Sequence, residues 1–151
     1  MEQLDFRIGT PLNPGEEPPK SIESVLVVSD TNLHEYYKEL LQSHFKVEVC
    51  EDYSEARQRL WEIPFLIHII HLDLPTCTYE NGHFDGLILA DRIRHTKGSS
   101  RSVYLVSEEL SSLKKAERMG FENIYTSEGY LLRGGYESIT KLGSDIIRQN
   151  F

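Results

Sequence analysis

Cysteine is nearly missing from this chain: Cys50 and Cys77 are the only two in 151 residues, and no Cys-x-x-Cys pair occurs. That excludes a disulfide-stapled scaffold and a cysteine-type zinc module. Positive charge is also scarce, with 16 Lys and Arg against 24 Asp and Glu and a net charge of -8. A phosphate backbone would find little to bind, so no nucleic-acid partner is expected. Long apolar runs are absent too. The longest, Phe65 to Ile70, is broken by His68 and is far too short to cross a bilayer, so no membrane partner is expected either. Met1 to Arg7 carries Glu2 and Asp5 and no apolar stretch, unlike a secretory signal, and a cytoplasmic home is the simplest expectation.

What is present suits one soluble domain: 39% hydrophobic residues and 10 glycines in a chain of one-domain length. Residues 1–22, with Pro11, Pro14, Pro18 and Pro19, show no apolar periodicity and read as a flexible leader. The competing readings are a partner-binding segment or an extra strand built on Leu4, Phe6 and Ile8. Residues 23–151 then form the domain. Val25 to Val28 is an apolar, β-branched run suited to a buried strand. Thr31 and Asn32 offer caps to a helix from about Leu33 to Ser43, with Leu33, Tyr36, Tyr37, Leu40 and Leu41 on one stripe. Lys46 to Cys50 reads as a strand, and Asp52 or Ser54 as the cap of a helix through Trp61. Phe65 to Leu72 is the central strand, Pro75 to Gly86 a loop, and Leu87, Ile88, Ala90 and Ile93 restart a helix. Val103 to Val106, a helix ending at Gly120, Ile124-Tyr125 and a last helix from Tyr136 to Gln149 complete the series.

Strand and helix alternate five times, so the expected architecture is α/β: a five-stranded parallel sheet with helices on both faces. Function in such sheets gathers at the carboxyl ends of the strands, here Asp30, His71 to Asp73, Ser107 and Thr126-Ser127. Five motifs recur in order: Val-Leu-Val-Val-Ser-Asp at 25–30, Ser54-Glu55-Ala56, Leu-Pro followed by Asp85-Gly86, Val-Tyr-Leu-Val-Ser at 103–107, and Ala116 with Gly120. In these the chain, over about Ser24 to Asn150, resembles the CheY-like receiver domains of response regulators, which have a flavodoxin-like fold.

The resemblance implies a pocket made of an acidic pair, a phosphoacceptor Asp, a Ser or Thr, and a Lys, with the acids holding Mg²⁺. Here the pair reads Ser29-Asp30 and the hydroxyl position Ser107. The family's acceptor lies four residues before the Pro and about fifteen after the helix-two Ala. Pro75 and Ala56 both point to His71, with Asp73 as the alternative acceptor. The Lys position falls on Ser127. The receiver-pocket equivalents are therefore Ser29, Asp30, His71, Ser107 and Ser127, a set short of both anionic and cationic charge.

Blander readings stand beside these. A His at a strand end is usually packed and hydrogen-bonded. Asp30, His71 and Asp73 are weak candidates for a divalent metal, against a solvated polar cluster. Tyr125, Tyr130, Leu131, Leu132 and Tyr136 form a candidate interaction face, or else they pack the last helix. No motif of a hydrolase occurs, and no enzyme activity is expected. The resulting expectation is a single-domain pseudo-receiver needing no cofactor and binding another signalling protein, a histidine kinase, a downstream effector or a second copy. The alternatives are a live receiver using Asp73 and Mg²⁺, and a small-molecule or nucleotide binder using the flavodoxin-like crevice.

Overall fold

A computed structural model of the chain describes residues 23–74, 85–126 and 136–150. Residues 1–22, where a leader was expected, together with 75–84, 127–135 and Phe151, lie outside it. Six strands follow one another as β1 (Ser24–Val28), β2 (Lys46–Cys50), β3 (Ile67–His71), β4 (Val103–Ser107), β5 (Asn123–Thr126) and β6 (Glu137–Ser138). Five helices alternate with them: α1 (His34–Leu41), α2 (Tyr53–Glu62), α3 (Asp85–Lys97), α4 (Leu110–Arg118) and α5 (Leu142–Asn150). The spatial order is β2-β1-β3-β4-β5-β6, and every pairing is parallel.

Strands β1, β3 and β4 are near-continuous apolar runs because both faces of the sheet are covered there. Alternate residues feed two cores. Leu26, Val28, Ile70, Leu105 and Ile124 meet α2, α3 and α4 through Tyr53, Ala56, Ala90, Ile93 and Ala116. Val25, Val27, Ile69, Val106 and Tyr125 meet α1 and α5 through Tyr37, Leu41, Leu142 and Ile146. Each large side chain taken fully out of water contributes about 1.5–3 kcal/mol, so the all-buried strands β3 and β4 anchor the domain.

The structure corrects the sequence reading in several places. Among the described residues there are six strands where five were expected, because Glu137-Ser138 extends beside β5 where a helix was expected from Tyr136. Ser138 then accepts a hydrogen bond from the Thr140 backbone, and a 3-10 turn over Ile139–Lys141 leads into α5. Thr31 and Asn32 do not cap α1: they lie in a 3-10 turn, and the Thr31 hydroxyl donates to Glu51 instead. Of the expected α1 stripe, Tyr36 is exposed, as is Ile88 on α3. Asp52 is the cap of α2, accepting from the Glu55 backbone N–H at 2.7 Å. Gly120 lies just beyond α4 with φ of +93°, the left-handed setting that glycine adopts without strain. No helix among the described residues is long and apolar enough to cross a membrane.

Candidate functional site

Parallel strands deliver their carboxyl ends to one edge of the sheet, and the candidate residues assemble there. Val28 pairs with Ile70, and His71 with Val106, so the residues after β1 lie beside the end of β3 and the end of β3 lies beside that of β4. Ser29 is buried, and its hydroxyl donates to the Asp30 carbonyl at 3.1 Å. Asp30 is exposed. In the first turn of α1, His34 places Nε2 at 3.0 Å from the Ser29 carbonyl and 3.3 Å from the Cys50 carbonyl. Both partners only accept, so Nε2 carries a proton and ties together the ends of β1 and β2.

His71 closes β3, with its side chain on the α1 face. It is 7% exposed, and its Nε2 is hydrogen-bonded to the hydroxyl of the fully buried Tyr37 at 2.6 Å, the two rings meeting edge to face. Burial, followed by the nearby His34 charge, lowers the His71 pKa from 6.5 to about 4, so the imidazole is neutral at pH 7. The Tyr53 hydroxyl donates to the His71 carbonyl at 2.5 Å and accepts the Leu74 N–H at 3.2 Å, fixing the turn that follows.

That turn carries Asp73 toward β4. The Ser107 hydroxyl donates to Asp73 Oδ1 at 2.7 Å, and the Glu108 backbone N–H donates to Oδ2 at 2.6 Å. Asp73 and Ser107 are thus brought together, whereas His71 is turned away under Tyr37. The weak metal set of Asp30, His71 and Asp73 does not converge: among the described residues, no group of three or more His, Cys, Asp or Glu is arranged to hold a metal ion. As arranged, these side chains offer a divalent cation no shared set of oxygen ligands: Asp30 is exposed, the His71 ring is engaged by Tyr37, and both Asp73 oxygens accept hydrogen bonds from Ser107 and Glu108.

Ser127, Tyr130, Leu131 and Leu132 lie outside the described residues. Of the two readings open for Tyr125, the structure shows packing under the last helix and not an exposed face: it is 4% exposed, and its hydroxyl donates to the buried Asp145 of α5 at 2.8 Å. Tyr136 is half-buried against the core on the α4 side and donates to Glu117 at 2.6 Å. The sequence reading missed the roles of His34, Tyr37, Tyr53 and Asp145. Only His34 had a usable signal, a histidine one helical turn beyond the Asp30 strand end; hydroxyls reaching across the fold leave no trace in spacing. Two clefts lie at the opposite, amino end of the strands, one beside Leu66, Arg101 and Asn123 and the other between α2 and α3.

No protein-family model and no curated protein matches the sequence. Solved structures do match. A CheY-like response regulator receiver domain from Methylobacillus flagellatus is 22% identical, with a TM-score of 0.61, over 85% of this chain and 98% of that one. The response regulator TrrA from Thermotoga maritima, in complex with Mg²⁺ and beryllofluoride, is 17% identical, with a TM-score of 0.59, over 84% of this chain and 98% of that one. A chain from the complex of the histidine kinase ThkA with TrrA is 18% identical, with a TM-score of 0.61, over 86% of this chain and 100% of that one. The chain therefore has the fold of the CheY-like response-regulator receiver domains.

Proposed function

We propose that the chain is a cytoplasmic pseudo-receiver, a non-enzymatic signalling module that binds another protein and is not switched by an ordinary aspartyl phosphate. One observation carries this reading. At the end of β3 there is a buried, neutral imidazole held by Tyr37, where phosphoryl transfer would need an exposed carboxylate. One structural neighbour comes from a complex of a histidine kinase with a response regulator, which supports a signalling protein as partner, either a histidine kinase or a downstream effector. Incubation with acetyl phosphate and Mg²⁺, followed by intact mass measurement, should give no added phosphate. A stoichiometric, base-labile gain would overturn the proposal.

A second reading has an observation of its own: the Asp73 carboxylate sits against the Ser107 hydroxyl, which would let Asp73 act as acceptor in a degenerate but live receiver. Under that reading Asp73→Asn abolishes labelling. Labelling unchanged by the substitution rejects Asp73.

A further inference from the structure

At the amino end of the strands, a groove of about 610 Å³ runs between α2 and α3. Its floor is apolar, made by Leu60, Ile63, Phe65, Leu89 and Ile93. Trp61 stands beside it, 92% exposed, although an indole of that size gains much from burial. The rim carries Arg92 and Lys97, with Arg57 and Glu62 also lining it, on a chain of net charge -8. The volume is that of a small-molecule site, mostly apolar with a few polar groups.

One of those polar groups is unsatisfied. His68 lines the groove and is fully buried. Its Nδ1 lies 3.3 Å from the Ser102 carbonyl, which only accepts, so Nδ1 carries the proton and Nε2 is left as an acceptor. Nε2 has no hydrogen-bond partner among the described residues. A buried acceptor without a partner is costly, and a ligand that brings a donor recovers that cost.

We propose that the groove between α2 and α3 binds a small anionic amphiphile: an apolar body on the floor, an acidic group against Arg92 and Lys97, and an O–H or N–H donor for His68. This inference stands apart from the phosphorylation question, since it uses the opposite edge of the sheet and no residue of the receiver-like pocket.

The chain holds one tryptophan, so the Trp61 indole N–H gives a single resonance in a ¹⁵N-labelled sample. Titration with 4-hydroxyphenylacetate should shift it saturably. Tyramine, with the same ring and hydroxyl but a cation in place of the acid, should bind about tenfold more weakly. Arg92→Glu combined with Lys97→Glu should weaken the acid by about tenfold while the circular dichroism stays unchanged. His68→Phe should remove the preference for 4-hydroxyphenylacetate over phenylacetate; if that variant does not fold, the charge-reversal pair still decides. Equal binding of tyramine and the acid, or no saturable shift, overturns the proposal. So does a Trp61 shift that tracks protein concentration alone, which would mean that a second copy fills the groove.

Discussion

His68 and His71 both lie in β3, and both have pKa values lowered from 6.5 to about 4, chiefly by burial. The unfolded chain takes up these protons near pH 6.5, whereas the folded chain refuses them until near pH 4. Stability from this source is therefore complete above about pH 6.5 and is lost as the pH falls through that window. At about 1.4 kcal/mol per pH unit for each group, acidification from pH 6.5 to 5 should cost about 2 kcal/mol per histidine. Urea unfolding followed by circular dichroism at pH 7, 6 and 5 measures the slope. His71→Phe should make it shallower, and an unaltered slope would mean that His71 does not stay neutral in the folded chain.

Helix contacts set the second scale. Gly143 in α5 faces Leu40 of α1, and a Cβ there would come within 2.6 Å of the Leu40 side chain. Gly143→Ala should therefore destabilise the domain by about 1–3 kcal/mol through overpacking, and Leu40→Ala in the same chain should recover part of that loss, both read from urea midpoints. The central strands were largely legible because a two-sided sheet writes them as apolar runs; the edge strand Lys46–Cys50, which alternates valines with charged residues, also stands where it was expected. Short elements were not. Two residues, Glu137 and Ser138, hold no periodicity, and only their pairing with Tyr125 and Thr126 makes them a strand. For Tyr125 the sequence left an interaction face and packing under the last helix both open, and nothing local announces the buried Asp145 that its hydroxyl meets. At the candidate site, sequence spacing brought His71 and Asp73 into contention. It could not show that one would be roofed by Tyr37 and the other drawn to Ser107, since both contacts join residues 34 positions apart.

Across the whole molecule the two edges of the sheet differ in character. Among the described residues, groups at the carboxyl edge are tied by hydrogen bonds to one another, with His34 on two strand-end carbonyls and Tyr53 on the turn after β3. The amino edge keeps an open apolar groove with a basic rim. The tryptophan beside that groove, already 92% exposed in the folded chain, gives the contrast an optical consequence. Its emission should be red-shifted in the native protein and should change little in urea, so tryptophan fluorescence is nearly blind to unfolding that circular dichroism records. A blue shift at constant ellipticity would instead mark something settling over the end of α2, which turns an unprotected ring into a reporter of what occupies it.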